Sequence, residues 1–367
     1  MIPLSSIIHQ IFADNRDNFI SLRNPNYAEL RVINHIVSCR TPELGASVYD
    51  CGCGERSIIY HSCRDRHCPV CQGINNARWA DKQMEAALPI KYFHVVFTLP
   101  DMLNQFIKSH PKEAFDALFG AASSALLKLC ADTRYLGVKP GFTAVLHTWS
   151  QTMQFHPHLH VIITAGGLSA DALRFIDKSD KDYLMPVKVL SRLYRGIFID
   201  LLDKNAPLPT ALKSDLYNTE FFCYLKEPLD CADNIVKYLA RYANRVCISD
   251  RRIVAYDKAG GAVIFSYRDN KDGGIQKQMT ISVIEFMRRF LLHTLPKRFM
   301  KTRHYGILAN RGKIERICRC RRMLNSSIKC FATNVKKHFL PICKKCGNSF
   351  SAPKHMSAVE LKVLLLC

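Results

Sequence analysis

The sequence has no apolar run as long as the roughly 18 to 20 residues that a helix needs to cross a bilayer. Its N-terminal segment carries acidic residues early and lacks the basic stretch with which a signal peptide begins. No internal repeat and no low-complexity tract is visible. These absences predict a folded chain that has no membrane partner.

Acidic residues are scarce beside basic ones. The 367 residues include 52 Lys and Arg against 31 Asp and Glu, which gives a net charge of +21. A hydrophobic share of 48% supports a packed core, and the length allows one large domain or two to three smaller ones. In a globular protein, so large a positive excess predicts a polyanionic partner, of which nucleic acid is the commonest. The alternative is a charge that only keeps the protein soluble.

Cysteine, by contrast, is abundant: the chain has sixteen, many of them in C-x-C and C-x-x-C steps. Such steps are typical of thiolate metal ligands in a reducing compartment rather than of disulfides. In the first cluster, the pairs Cys51/Cys53 and Cys68/Cys71 predict one tetrahedral zinc site. Either the ligand set differs or a second ion is bound, because further candidates remain: Cys39, Cys63 and His67.

A second cysteine cluster lies near the end of the sequence. The pairs Cys318/Cys320 and Cys343/Cys346 are separated by a basic stretch and fit one four-cysteine zinc site. Cys330 is a competing ligand. We therefore expect structural Zn²⁺ in both cysteine-rich regions of the chain.

Strand patterns appear between the two clusters. Residues 91–100 form an apolar run that ends in proline, which is typical of a buried strand. Residues 142–151 and 158–165 are also β-rich, and Gly166-Gly167 is expected to close the second of them. The short connection between them predicts an antiparallel hairpin. Residues 103–130 have helical spacing and predict one or two helices.

Two histidines in this hairpin share a face. Because side chains alternate across a strand, the imidazoles of His158 and His160 can both bind one divalent metal ion. If Gln151 lies opposite His158, it is the third ligand, although His147 shares the same face and is the alternative. Such a set leaves coordination positions open for a phosphate.

Two tyrosines in a predicted helix complete the pattern. Residues 233–245 are amphipathic, and helical spacing puts Tyr238 and Tyr242 on one face. Three cations accompany them: Lys237, Arg241 and Arg245. These cations are candidates to hold DNA phosphates or to ease ionisation of the phenols. A metal ion and a phenol together can cleave a phosphodiester by covalent attack, although packing is the commoner role of such tyrosines.

Several motifs, in order along essentially the whole chain, resemble those of a known family. The strand with Phe97-Thr98-Leu99, the block HTWSQTMQFHPHLHVIITAGGLS from His147 and YLARYANR from Tyr238 are similar to the two-tyrosine HUH transposases of the insertion-sequence 91 family. SCRDRHCPVCQ from Ser62 and RHYGILANR from Arg303 are similar to that family's zinc module and post-catalytic segment.

The resemblance implies a rolling-circle transposase that nicks one strand and moves its element as single-stranded DNA. His158 and His160 would be the metal-binding pair, with Mg²⁺ or Mn²⁺ as the catalytic ion. Tyr238 and Tyr242 would be the nucleophiles that form a 5′-phosphotyrosine bond. The expected partner is single-stranded DNA at transposon ends and target, in the bacterial cytoplasm and at the nucleoid.

The expected fold is α+β and HUH-endonuclease-like. A central antiparallel sheet would carry the histidines, with helices on one face and zinc modules at either end. We expect a zinc-binding module at 1–88, a catalytic domain at 89–300 with a helical insertion, and a basic segment with a zinc site at 301–367.

Two other functions fit the same residues. A plasmid replication initiator or relaxase would perform the same chemistry at a plasmid origin. A non-catalytic zinc-finger protein would bind single-stranded DNA and form no covalent bond with it.

Overall fold

A computed structural model describes most of the chain. The described residues are 6–180, 184–229, 246–269, 272–326 and 340–366. The fold is α+β with antiparallel sheets, as predicted.

Helices and strands are interspersed along the described residues. The helices are α1 (Ile7–Arg23), α2 (Tyr27–Ser38), α3 (Pro69–Ala86), α4 (Asn104–Ser109), α5 (Pro111–Ala131), α6 (Val187–Asn205), α7 (Thr210–Asn218), α8 (Val283–Leu291), α9 (Lys313–Met323) and α10 (Ala358–Leu366). The strands are β1 (Ala46–Asp50), β2 (Arg56–Tyr60), β3 (Tyr92–Thr98), β4 (Lys139–Trp149), β5 (Phe155–Leu168), β6 (Phe175–Asp177), β7 (Cys223–Leu229), β8 (Ile253–Asp257), β9 (Ala262–Asp269), β10 (Ile275–Ser282), β11 (Thr302–Gly306) and β12 (Lys354–Met356).

The chain divides into two compact units, and each draws on segments that are far apart in sequence. The first unit comprises residues 1–75, 248–294 and 332–367. The second comprises residues 76–247 and 295–331. The boundaries expected from the sequence, 1–88, 89–300 and 301–367, divide the chain by function and not by contacts. They stay a prediction.

The first unit contains two three-stranded antiparallel sheets, ordered β12-β1-β2 and β10-β9-β8. Helix α2 starts at a capping box in which the Asn26 side chain and Glu29 exchange hydrogen bonds with each other's backbone. Helix α1 packs on α8, where the rings of Phe12 and Phe290 meet edge to face at 5.1 Å. Strand β12 pairs with β1, so a segment near the end of the sequence completes a sheet begun near its start.

The second unit is built on one six-stranded antiparallel sheet, ordered β11-β4-β5-β3-β7, with β6 paired to β5. Residues 103–130 form two helices, α4 and α5, as predicted. Among the described residues, α5 is long and apolar enough to cross a membrane by length and composition, which the sequence analysis did not anticipate. Its most apolar stretch is 67% buried, and it forms the centre of the unit's hydrophobic core.

The two faces of this sheet differ because side chains alternate along each strand. Phe93, Val95 and Phe97 of β3 face the core under α5 and α6. His94 and Thr98 of the same strand point to the opposite, polar face. The alternation therefore separates a structural face from a face that carries imidazoles.

Strand β5 runs through Gly166 and Gly167, which were expected to end it. A Cβ on Gly167 would lie 2.2 Å from the carbonyl oxygen of Lys139, and one on Gly166 would lie 2.5 Å from that of Ile176. The glycines are required because β4 and β6 approach the β5 backbone closely there.

Candidate functional site

Three histidines converge on the polar face of the second unit's sheet. His158 and His160 lie on β5, and His147 lies opposite His158 on β4. Each offers a ring nitrogen, and these atoms all lie within 4.8 Å of one another. The ring of Trp149 stacks on His147 at 4.5 Å and helps to fix its orientation.

Hydrogen bonds turn two of these imidazoles towards a common point. The Nδ1–H of His158 donates to the carbonyl oxygen of His156 at 2.8 Å, which leaves Nε2 free of a proton in the neutral ring. His160 Nδ1 lies 3.0 Å from Nε2 of His94. The Nε2 atoms of His158 and His160 then face each other at 3.1 Å. Ligands at right angles on one ion, each about 2.1 Å from it, would be separated by about 3.0 Å.

Burial keeps these rings neutral. It lowers the pKa of His158 to about 4 and that of His94 to about 3. Burial and the neighbouring His147 lower the pKa of His160 well below its ordinary value. The nitrogen lone pairs of His158 and His160 are therefore available at neutral pH, so these two rings together with His147 could hold one divalent cation.

Gln151, the expected third ligand, does not lie opposite His158. The turn between β4 and β5 occupies that position, with Ser150 N–H donating to the carbonyl of Gln154 at 2.9 Å. The register consequently pairs His147, not Gln151, with His158. The hairpin itself was predicted correctly, and its register was wrong because a turn residue was counted as part of the strand.

His94 was missed by the sequence analysis. It lies on β3 and its ring stacks on His160 at 5.2 Å. Its parity in the run Lys91–Pro100 was a usable signal, but the contact depends on the pairing of β3 with β5, which the sequence alone did not reveal.

The predicted nucleophiles Tyr238 and Tyr242 lie outside the described residues. The same holds for three predicted DNA-binding cations: Lys237, Arg241 and Arg245. Their roles stay predictions.

One cysteine cluster in the first unit groups Cys39, Cys63, Cys68 and Cys71. The Cys71 sulfur lies 3.6 Å from the sulfurs of both Cys39 and Cys63. Zinc–sulfur bonds of about 2.3 Å in a tetrahedron place sulfurs about 3.8 Å apart, so the spacing fits zinc. The hydrogen bond from Cys63 lowers the pKa of Cys39 to about 7, which favours a thiolate.

Asp65 organises the turn that carries this cluster. Its carboxylate accepts hydrogen bonds from the Nδ1 atoms of His35 and His67, at 2.8 and 2.9 Å. Burial opposes ionisation, yet the bonds from His67 and His35 hold the pKa of Asp65 well below its ordinary value. His67 is thus a partner of Asp65, and the structure does not group it with the thiols.

The other cysteine cluster groups Cys51 and Cys53 with Cys343 and Cys346. The sulfur of Cys51 lies 3.4 Å from that of Cys346, and the sulfur of Cys53 lies 3.7 Å from that of Cys343. The two predicted four-cysteine sets were therefore wrong, because each joined pairs that are neighbours in sequence. The actual partners are brought together by the pairing of β12 with β1. The alternative left open for the first cluster, a different ligand set, agrees with the grouping of Cys39 and Cys63 with Cys68 and Cys71.

Cys318 and Cys320, the other two predicted zinc ligands, belong to neither cluster. Both lie on α9, and Cys320 is fully buried in an apolar cluster with Ile317 and Leu88. Burial raises the pKa of the Cys320 thiol to about 11, which favours the protonated form. Packing on α9 therefore accounts for Cys320.

Comparisons with known proteins agree with this arrangement. Residues 141–315 match the family model described as "Putative transposase", and residues 11–99 match the model described as "Transposase zinc-binding domain". The histidine centre lies in the first range. The second range contains one complete cysteine cluster and half of the other. No solved structure matches the chain significantly.

Two curated proteins are similar over most of the chain. The "Putative transposase y4qJ" of Sinorhizobium fredii is 39% identical over 319 residues, covering 82% of this chain and 79% of that protein. The transposase for insertion sequence element IS801 of Pseudomonas savastanoi is 27% identical over 302 residues, covering 77% of this chain and 71% of its own. The protein therefore belongs to the insertion-sequence 91 family of transposases, enzymes that cut DNA to move a mobile element.

Proposed function

We propose that this transposase nicks and rejoins single-stranded DNA through a 5′-phosphotyrosine intermediate during rolling-circle transposition. The observation that carries the proposal is the histidine centre, in which two Nε2 atoms face each other at 3.1 Å beside a third imidazole. The proposed fold of the second unit is that of the HUH endonucleases, and its sheet supports the proposal by carrying His158 and His160 on one face.

Three imidazoles are a donor set that suits Mn²⁺ better than Mg²⁺, because Mg²⁺ prefers oxygen ligands. A divalent ion bound there would polarise the scissile phosphate and neutralise its developing charge. His147, His158 and His160 would hold it, and the open positions would accept phosphate oxygens. The observed register removes the argument that placed Gln151 opposite His158, and its role as a ligand stays a prediction.

The covalent step would use a phenol of Tyr238 or Tyr242. Once ionised, its oxygen attacks phosphorus in line, so a tyrosine O–P bond forms while the P–O3′ bond breaks. The released 3′ oxygen takes up a proton and becomes a free hydroxyl. The new ester conserves the energy of the broken phosphodiester bond, so attack by a 3′-hydroxyl reseals the strand without ATP. The second tyrosine permits a second cleavage while the first link persists.

The test uses a single-stranded oligonucleotide that carries one end of the element, with Mn²⁺ or Mg²⁺ and a denaturing gel. Label at the 3′ terminus should stay with the protein, while label at the 5′ terminus should appear on a shorter free fragment. The variant Tyr238→Phe with Tyr242→Phe keeps both rings and should bind DNA without forming the adduct. An adduct from that variant would contradict the assignment of the nucleophiles.

A protein that binds the oligonucleotide but never forms an adduct would instead support the non-catalytic zinc-finger alternative. The replication initiator or relaxase shares the chemistry and would also form one. Flanking DNA separates these two: defined ends without inverted repeats fit a transposase, and a plasmid origin fits the other. The family match favours the transposase.

A further inference from the structure

Two aromatic side chains project from β7, the last strand at one edge of the second unit's sheet in the part of the chain that the structure describes. Phe222 is 69% exposed and Tyr224 is 59% exposed, at the start of the edge strand β7. Their neighbours Phe221 and Cys223 point the other way and are buried in the core. Large exposed aromatic rings are unfavourable unless they have a partner, and an edge strand normally carries charge instead.

Both rings are in register with the histidine centre. Tyr224 pairs with Val96 of β3, and Val96 pairs with His160. The carbonyl of Phe222 accepts hydrogen bonds from the backbone N–H and hydroxyl of Thr98 at 3.1 and 2.9 Å, and Thr98 pairs with His158. Residues directly opposite in an antiparallel sheet share a face, so rings and imidazoles share one. Two strand spacings, or about 10 Å, separate them.

A cationic groove lies at the same sheet edge, on the side covered by α6, and Phe222 stands between it and the face that carries the imidazoles. It has a volume of about 200 Å³, and Phe222 lines it together with Lys188, Arg192 and Arg195 of α6. Glu220 is the acidic residue among its lining side chains. Lys188 and Arg192 are exposed and lie one helical turn apart. Arg195 donates to the carbonyl of Thr219 at 3.0 Å and so holds one wall of the groove.

We propose that Phe222 and Tyr224 form a stacking platform for unpaired bases next to the scissile phosphate, and that Lys188 and Arg192 hold the phosphates that follow. The proposal rests on the proposed function and adds the residues that select single strands. Ring faces beside the histidine centre and cations around the sheet edge match one occupant, a strand of DNA with exposed bases that passes from the platform over the edge to α6. Duplex DNA hides its base faces in the stack, so the platform discriminates against it.

The experiment measures binding, without added Mg²⁺ or Mn²⁺, of a fluorescent single-stranded oligonucleotide from the element's end. Phe222→Ala with Tyr224→Ala should weaken binding by roughly five- to 150-fold for each base that no longer stacks. Phe222→Tyr with Tyr224→Phe keeps both rings and should restore affinity. Phe222→Leu with Tyr224→Leu keeps the apolar character without the ring and should not. The matched control is Tyr217→Ala on α7, an exposed tyrosine whose hydroxyl donates to Asp200 on α6.

The salt dependence of binding distinguishes the contribution of the aromatic platform from that of Lys188 and Arg192. Lys188→Ala with Arg192→Ala should flatten the slope of log affinity against log salt by about 0.7 for each phosphate that the variant no longer neutralises. The aromatic variants should lower affinity at every salt concentration and leave the slope unchanged. Affinity for a matched duplex should change little in the aromatic variants.

Unchanged single-strand affinity in the double alanine variant would overturn the platform. So would a shift from dimer to monomer in sedimentation with no change in DNA affinity, because the rings would then be covered by a second copy of the chain. Neither result bears on the adduct gel, which tests the chemistry. Conversely, a chain that forms no adduct but loses single-strand binding with the rings would retain the platform and lose the proposed catalytic function.

Discussion

The cysteine clusters of the first unit and the histidine centre of the second differ in how completely their ligands surround an ion. Each cluster offers four thiols, which complete a tetrahedron and leave no position for a substrate. The histidine centre offers three imidazoles and leaves positions open. The first arrangement suits a structural ion and the second suits an ion that must contact DNA.

The two regions also differ in where their ligands come from. Cys53 and Cys343 are 290 residues apart in sequence, and joining them closes a very long loop. His147, His158 and His160 all belong to one hairpin whose strands are already paired by their backbones. Zinc should therefore contribute to folding in the first unit, whereas the second unit should fold without its ion.

The largest effect is expected from breaking the cluster that joins distant segments. Cys343→Ser with Cys346→Ser removes two of its four thiols, and structural zinc contributes apparent binding energies of about 10 to 16 kcal/mol in small zinc domains. We expect the loss of one zinc ion per chain and unfolding of the first unit. Elemental analysis and limited proteolysis measure the two changes.

Two variants test the pairing of this cluster. Adding Cys51→Ser and Cys53→Ser to that variant should release no further zinc, because all four residues serve the same ion. Cys320→Ala should retain full zinc content, since Cys320 is buried among apolar residues. Loss of zinc in Cys320→Ala would support the set predicted from the sequence, in which Cys318 and Cys320 share one ion with Cys343 and Cys346.

The next largest effect is expected on catalysis, with no accompanying loss of folding. His158→Ala with His160→Ala should lower the rate of adduct formation by about 10³-fold or more, equivalent to about 4 kcal/mol of lost transition-state stabilisation. Zinc content and the thermal unfolding midpoint should stay close to those of the unaltered protein, because the hairpin does not depend on the ion. A variant that unfolds would contradict the contrast between the two regions.

The sequence predicted ligand types better than ligand partners. The placing of His158 and His160 on one face followed from strand parity, which is a local property. The partners of Cys51 and Cys53 could not follow from spacing, because they depend on how β12 meets β1 across nearly the whole chain. The C-x-C spacing of Cys318 and Cys320 is suitable for zinc ligands. The burial of Cys320 among apolar residues shows instead that this cysteine packs in the core.

The register of the hairpin marks a similar limit. Alternation identified both strands, but the length of the turn decides which residues face each other. With Ser150 bonded to Gln154, the turn moved His147 into the position expected for Gln151. The HUH-like fold itself stays part of the proposal, supported by the family match and by the antiparallel sheet.

Low pH is expected to destabilise the second unit, to which His304 on β11 belongs. Burial and Lys313 lower the pKa of His304 to about 4, from an ordinary value near 6.5. Between these values the unfolded chain binds more protons than the folded one, so stability is lost as pH falls from about 6.5 to about 4. His304→Gln should reduce that loss by up to about 3 kcal/mol, measured by urea unfolding at several pH values. A chelator that removes zinc should leave this pH-dependent difference intact.

The smallest effect is expected from replacing His94, which contacts the proposed ligand His160 and would not itself bind the ion. Burial keeps its ring neutral, with the pKa lowered to about 3, so its Nε2 can accept the Nδ1–H of His160 at neutral pH. That bond holds the His160 ring in the tautomer whose Nε2 faces His158. Residues in this position typically change metal affinity by about 10- to 100-fold when they are removed.

His94→Leu should therefore weaken Mn²⁺ binding within that range, measured by calorimetric titration after exhaustive removal of weakly bound metal. His94→Gln can place an amide oxygen near the same position and should recover most of the affinity, which a purely space-filling role would not predict. The zinc content should be the same in all three proteins, since His94 belongs to the second unit and the thiols to the first. Equal Mn²⁺ affinity in the leucine and glutamine variants would mean that the sheet alone orients His160, and the open centre would then need no support beyond its hairpin.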